Sequence, residues 1–390
     1  MYQGKFVFNQ LVSLISKYEF NKCVAKYDGN NRVRYFNCWQ QFLCMMFGQL
    51  TYRESIRDII NCLEAHDNKV YHLGITKVVS PTSLTRANKS RNWRIWSDFS
   101  NHLIGVARPL YLDDNNFTLE LDNTVYALDA STIDLCLNVF KWAKFRKKKG
   151  AVKLHTLMDL RGNIPVFIAI TTGKVHDVNI LDQINFEAGA FYIVDKGYYD
   201  FKRLYIVDQA KAFFVIRAKR NFKFKRLYSR KVDKSIVLKC DQVVKLTGVK
   251  SSLEYSEKLR RIKFYSESKR KMYVFLTNNF ELDAYTITLL YKNRWQIELF
   301  FKWIKQHLKI KKFWGQSENA VKTQIWIAVY TYLIVAILKK RLNTHKSLYE
   351  ILQILSVSSF DKTPINQLLM NSDLQSYDND ISKQLTLFDL

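Results

Sequence analysis

Proline and glycine are scarce in this 390-residue chain, at 4 and 12 respectively, which argues against long disordered linkers. The 6 cysteines, at positions 23, 38, 44, 62, 136 and 240, form no Cys-x-x-Cys pair. His66 and His72 stand near Cys62, but at no zinc-binding spacing. The thiols therefore read as reduced and mostly buried, as in a cytosolic protein. No Gly-x-x-x-x-Gly-Lys-Ser/Thr loop occurs, so nothing points to nucleotide hydrolysis. The opening "MYQGKFVFNQ" has no basic region followed by an apolar run, and no secretory signal is expected. The most apolar run, "IWIAVYTYLIVAIL" at 325–338, is fourteen residues long. A bilayer needs about 20, so a buried core helix is expected there and no membrane partner.

What the chain has in plenty is apolar mass and positive charge. At 48% hydrophobic and 14% aromatic it can bury a sizeable core. Lys and Arg number 61 against 35 Asp and Glu, a formal charge of +26. In a globular, aromatic-rich chain that excess points to a polyanionic partner, the alternative being a generally basic proteome. The charge is also uneven. Residues 217–271 hold nineteen Lys and Arg against five acids, over half the total surplus.

Texture changes along the chain mark its parts. Residues 1–115 carry apolar faces of helical period. Within them "SPTSLTRANKSRNWRIWSDF" has Ser80 as a cap and Pro81 at a first helical position. That helix suits a DNA groove or an ordinary basic surface equally well. From about 122 short strands take over: 124–129, then 152–160 and 165–172 as a hairpin around "RGN", then 190–195 and 212–220. Their order mixes a hairpin with parallel crossovers, and their near-continuous apolar runs predict strands buried on both faces. The basic stretch after 219 alternates like a β-rich insertion with a charged face. Beyond 345 the composition turns polar, and the last twenty residues carry four Asp and one Lys.

Three acids fall at informative places. Asp129 and Asp195 each stand at the end of an apolar run, and Glu298 lies in "YKNRWQIELFFKWIKQHLK", 291–309. Wound as one helix, that segment puts Tyr291, Arg294, Glu298 and Lys305 within an arc of roughly 60°, beside an apolar stripe of Ile297, Phe301, Ile304 and Leu308. Adjacent strand ends would set two carboxylates side by side, and a helix could bring the third. Such a cluster repels itself unless a divalent cation joins it. Two Mg²⁺ ions bridged by these acids would suit phosphodiester chemistry.

The block Tyr291-x2-Arg294-x3-Glu298-x6-Lys305 resembles the Tyr-Arg-Glu-Lys signature of cut-and-paste insertion-sequence transposases of the insertion-sequence-four type. "ALDAS" around Asp129 and "IVDKGY" around Asp195 are similar to that family's other acidic motifs. The resemblance covers roughly 120–345 and implies a DDE enzyme of α/β class with a ribonuclease-H-like mixed sheet core. The implied layout is a helical domain at 1–115 that binds DNA ends, core at 120–219, a basic β-rich insertion at 220–275, core again at 276–345, and a polar tail at 346–390.

By the same resemblance Asp129, Asp195 and Glu298 would hold two Mg²⁺ ions, for which Mn²⁺ could substitute. The enzyme would cut one strand at each transposon end and use the freed 3′-hydroxyl for hairpin formation and strand transfer. Its partners would be the inverted repeats, target DNA and a second copy in the synaptic complex, in a bacterial cytoplasm on nucleoid DNA. Tyr291, Arg294 and Lys305 would contact phosphates, as a guanidinium and an ammonium do. Trp295 would stack on an extruded base or serve as core packing. Arg260, Arg261, Lys269 and Arg270 of the insertion are expected on DNA. Asp159 reads as structural, while His176 and Asp177 could line the site or cap a helix. "QLTLF" resembles a sliding-clamp docking motif through Gln384, Leu385, Leu387 and Phe388. Two other readings stay open: a ribonuclease-H-like nuclease that does not join strands, and a catalytically silent DNA-binding descendant.

Overall fold

In the computed structural model of the chain, residues 4–112, 121–147, 149–219, 221–232, 237–267 and 270–370 are described. Seven helices come first: α1 (Val7–Val12), α2 (Lys17–Lys26), α3 (Cys38–Leu50), α4 (Ile56–Glu64), α5 (Asp67–Val70), α6 (Pro81–Ser90) and α7 (Arg94–Ala107). Strands β1 (Val125–Leu135), β2 (Lys144–Arg146), β3 (Lys149–Asp159), β4 (Ile164–Thr172) and β5 (Phe191–Val194) follow. Next are α8 (Phe201–Gln209), β6 (Phe213–Arg217), β7 (Phe224–Arg230), β8 (Leu238–Leu246), α9 (Val249–Glu254), β9 (Leu259–Ser266) and β10 (Lys271–Thr277). The chain continues through α10 (Ala284–Asn293), α11 (Trp295–His307), α12 (Glu318–Leu342) and α13 (Leu348–Ser358). The chain divides into two compact units, residues 1–110 with 303–390, and residues 111–302.

In the first unit, polar caps fix where helices begin. Asn37, Ser55, Ser80 and Ser317 each accept a backbone N–H of the first turn, satisfying donors that have no helical partner. Ser80 and Pro81 open α6 as the sequence predicts. The apolar run 325–338 lies inside α12, and every side chain from Ile325 to Leu338 is buried. By length and composition α12 could cross a membrane, yet 94% of its most apolar stretch is buried in the protein, as in a core helix. Residues 346–370, expected as polar tail, include α13, whose Ile351, Leu352 and Leu355 are buried. The clamp-like motif at Gln384, Leu385, Leu387 and Phe388 lies outside the described residues.

The second unit is built on one sheet of ten strands, ordered β2-β3-β1-β5-β6-β10-β9-β8-β7, with β4 also on β3. The β3–β4 hairpin turns at Asn163, whose φ of 54° is the left-handed conformation asparagine tolerates well. Strands β5 and β6 run parallel to β1, joined by α8 as a crossover. Antiparallel hairpin on one side and parallel strands on the other is the mixed α/β, ribonuclease-H-like sheet that the resemblance implied. Strand β5, the first four residues of β1 and the middle of β6 are buried, which explains their apolar runs.

The insertion does not form a separate body. Strand β10 pairs antiparallel with β6, and β9, β8 and β7 extend the same sheet outward. This changes the meaning of its charge. Arg260, expected on DNA, is 1% exposed: its Nε and Nη2 donate to Asp241 at 2.9 and 2.8 Å, and Nη1 donates to the Asn279 carbonyl. Arg261 is half-buried, donates to Gln242 Oε1 at 2.8 Å and lies over the Phe224 ring. Arg260 is a correction, because a guanidinium buried on a carboxylate is not presented to a backbone phosphate. Arg270 is exposed at a left-handed turn (φ 46°), and Lys269 lies outside the described residues.

A buried bidentate pair is costly to break from one side. We expect Arg260→Met, which leaves Asp241 buried and uncompensated, to destabilise the chain by about 3–5 kcal/mol in chemical denaturation. Combining it with Asp241→Leu should restore most of that loss. A single variant as stable as the parent would contradict the pairing.

Candidate functional site

The site forms where the parallel half of the sheet begins. The register of β1 on β5 pairs Val125 with Phe191 and ends at Leu128 with Val194. Asp129 and Asp195 are the next residues on the two strands, so their carboxylates emerge side by side. Asp195 ends its strand as expected. Asp129 does not: β1 runs on to Leu135, held by β3 alone. The acid therefore sits in mid-strand, opposite Thr156 of β3, at the point where β5 stops.

Glu298 arrives from α11, but not on a single long helix. The segment breaks at Arg294, which caps α10, and α11 starts at Trp295. Tyr291 thus belongs to one helix and Glu298 to the next, with Arg294 at the joint. Arg294 is the hub: Nη1 donates to Asp129 Oδ2 at 2.8 Å and Nη2 to Glu298 Oε1 at 2.5 Å. Tyr291 Oη donates to Asp195 Oδ1 at 3.2 Å, and the Arg294 guanidinium lies 5.9 Å from the Tyr291 ring. All five side chains come from the second unit. Trp295 is 54% exposed at the first position of α11, which removes the core-packing reading. Lys305 lies further along the same helix, in its last turn.

Electrostatics at the site are unbalanced. Burial pushes the Asp129 carboxyl up from its ordinary 3.8 to about 6. Arg294 and the Ala130 N–H oppose that rise, whereas Asp195 and Glu298 add to it. Burial also works against the charge of Arg294, but Asp129, Tyr291 and Glu298 outweigh it and hold the guanidinium above its ordinary value. Tyr198, three residues after Asp195, is buried with no hydrogen-bond partner for its hydroxyl among the described residues. Burial raises its pKa, and the fields of Asp129, Asp177 and Asp195 raise it further. Thr156 Oγ1 is likewise buried without a partner among the described residues. Orphaned hydroxyls beside clustered carboxylates suit the water shell of a cation.

The donor set is chemically right for a hard divalent ion, being three carboxylates with hydroxyls nearby. Among the described residues, however, no three His, Cys, Asp or Glu side chains stand in a metal-holding group. The reason is visible: Asp129 and Glu298 are turned to Arg294, and Asp195 to Tyr291. Seating an ion requires these side chains to re-aim.

Of the other acids, Asp159 binds Arg161 at 2.9 Å and the Arg161 backbone N–H at 3.1 Å, a structural turn lock. Asp177 accepts from Lys153 Nζ at 2.9 Å and lies 3.9 Å from Nδ1 of fully buried His155. His176 makes no side-chain cap where it precedes the short helix at Asp177. The sequence reading missed Thr156, Tyr198, Lys153 and His155. Only Tyr198 carried a signal, by its nearness to Asp195 in "DKGYY".

The raised pKa of Asp129 makes a prediction of definite sign. Because folding raises it, the folded chain keeps a proton that the unfolded chain releases. Stability therefore falls as pH rises from about 4 through 6, by on the order of 3 kcal/mol. Asp129→Asn should raise the melting temperature at pH 7.5 in divalent-free buffer and raise it little at pH 4. Equal gains at both values, or a loss at pH 7.5, would contradict the assignment of burial as the dominant effect.

Residues 120–334, more than half of the chain, match the transposase DDE domain family, and residues 3–76 match a family described only as a domain of unknown function. Among curated proteins, the chain is similar to a putative transposase of Sinorhizobium fredii, y4zB, at 37% identity over 50% of this chain and 56% of that one. It is also similar to a probable transposase for insertion sequence element IS5377 of Geobacillus stearothermophilus, at 28% identity over 56% of this chain and 57% of the relative. The chain thus spans little more than half the length of these relatives. A solved piggyBac transposase synaptic complex with hairpin DNA aligns at a TM-score of 0.44 and 10% identity, over 97% of this chain and 83% of that one, a likeness too distant to bear on function. The chain belongs to the transposase DDE domain family.

Proposed function

We propose that this protein cuts and rejoins DNA strands at the ends of a mobile element, in the manner of the insertion-sequence-four type. The observation that carries this reading is that Arg294 joins Asp129 to Glu298 while Tyr291 holds Asp195, the residue that follows the strand paired with β1. Asp129, Asp195 and Glu298 would hold Mg²⁺, as a pair of ions, with Mn²⁺ able to substitute. Bound there, the ions would activate the attacking oxygen and stabilise the leaving one.

The chain's own residues supply the rest. Arg294 and Tyr291 orient the carboxylates, and once ions take its place on Asp129 and Glu298 the Arg294 guanidinium would be freed to take up a phosphate in its planar fork. Trp295 offers an exposed ring for an unstacked base. Lys305 is assigned to a phosphate by its place in the signature. Inverted repeats and target DNA are the substrates, a second copy completes the synaptic complex, hairpin ends are the intermediate, and bacterial nucleoid DNA is the setting.

Glu298→Gln preserves shape while removing one charge. In Mg²⁺ it should bind duplex DNA as the parent does but give no cleavage product. Retained cutting would sink the assignment. On pre-cut ends bearing a free 3′-hydroxyl, the parent chain should join strands to a target plasmid. Cutting without any joined product would favour a simple nuclease.

A further inference from the structure

Two acid-free stretches meet in the first unit. The chain has 35 acidic residues, yet none lies between 29 and 53 or between 68 and 97. The first stretch contains the loop after α2, and the second contains α6. They face each other across a cleft of about 420 Å³ lined by Tyr27–Gly29, Asn31, Val33 and Phe36 on one side and Ser83, Arg86, Ala87 and Ser90 on the other. Arg91 fastens the two: its guanidinium donates to the carbonyls of Phe36 and Asn37 and to Gln41 Oε1, and lies over the Phe36 ring. That basic residue is therefore spent on architecture.

The basic residues of α6 and of the loop after α2 point outward. Only Leu84, Ala87 and Asn88 of α6 are buried, so the helix stands on one narrow edge. Its outer face carries exposed Thr82, Arg86 and Lys89 at i, i+4 and i+7, a single stripe with no large apolar side chain. A ten-residue helix is about 15 Å long, a fit for the roughly 12 Å width of a major groove. Beside it, exposed Arg32 and Arg34 precede Tyr35, which is 90% exposed. Arg32 is held at φ 55°, a conformation that an arginine adopts only where its surroundings fix it. A plain solvated face would be expected to mix both signs of charge. Asp28 is the one acid lining this cleft.

We infer that α6 and the loop at 29–36 form a duplex-DNA reading surface, with Thr82, Arg86 and Lys89 facing base edges and Arg32 and Arg34 gripping the backbone. The inference rests on the proposed function, and it names the residues of the first unit that would read sequence. An arginine can hold guanine through two bonds, whereas backbone contacts carry no sequence information.

The test uses the full chain in EDTA, so that nothing is cut. Fluorescence anisotropy would compare duplexes from the DNA flanking its coding sequence with shuffled duplexes of equal composition. The parent should prefer a flanking duplex. Arg86→Ala should cut that preference by roughly 10-fold or more and leave shuffled-duplex binding nearly intact. Arg32→Ala with Arg34→Ala should weaken both duplexes alike and lower the salt slope by about two. Both variants alter exposed side chains and should melt as the parent does. A parent that discriminates while Arg86→Ala discriminates equally, or a parent that binds without preference, overturns the reading role of α6. An unchanged salt slope overturns the loop's role. A parent that binds no duplex overturns the proposed function itself.

Discussion

Two carboxylates on neighbouring parallel strands repel each other, and the second unit depends on what answers that repulsion. The β1–β5 register places Asp129 and Asp195 side by side whatever their side chains do. The answer within the chain is Arg294, whose guanidinium spans Asp129 and Glu298, with the Tyr291 hydroxyl on Asp195. Burial nevertheless keeps Asp129 well above its ordinary pKa, with the neighbouring acids adding to it. A fold that holds acids at an electrostatic cost is spending stability on a site, as active sites do. The break between α10 and α11 belongs to the same arrangement, because it is the joint that presents Arg294 to both acids.

The sheet carries this cluster on a broad base. Its hairpin side anchors β1 beyond Asp129, and its other side continues through β6 into the insertion without interruption. Extending the sheet in this way demands buried polar compensation, which the Arg260–Asp241 pair supplies. Part of the basic surplus in 217–271 is therefore structural. The remainder, on exposed positions such as Lys225, Arg226 and Arg270, is available to a polyanion. In the first unit the division of labour is similar: Arg91 builds, and its exposed neighbours face solvent.

Much of the core was legible because apolar runs, turn residues and caps are local signals. The "RGN" hairpin, the Ser80–Pro81 helix start and the buried helix at 325–338 all read correctly from neighbouring residues. The candidate site was legible as three acids, through motif spacing. Its wiring was not. Asp129 looked like a strand end because the run turns polar after it, but β3 pairs with those polar residues and carries β1 six residues further. The helical arc assigned to Tyr291, Arg294, Glu298 and Lys305 assumed one unbroken helix, and no glycine or proline marks the joint at Arg294. Arg260 looked like a surface cation because its partner, Asp241, is set by strand register and not by sequence spacing. Thr156 is opposite Asp129 for the same reason.

The central claim is that the carboxyl groups of Asp129, Asp195 and Glu298 together form a divalent-ion site. Anomalous diffraction from crystals of the full chain grown with duplex DNA and Mn²⁺ tests it most directly. The account predicts manganese peaks bounded by all three carboxylates, with Arg294 no longer bridging Asp129 and Glu298. Ordered density for the site with Arg294 still spanning both acids, and manganese bound elsewhere or absent, would contradict it.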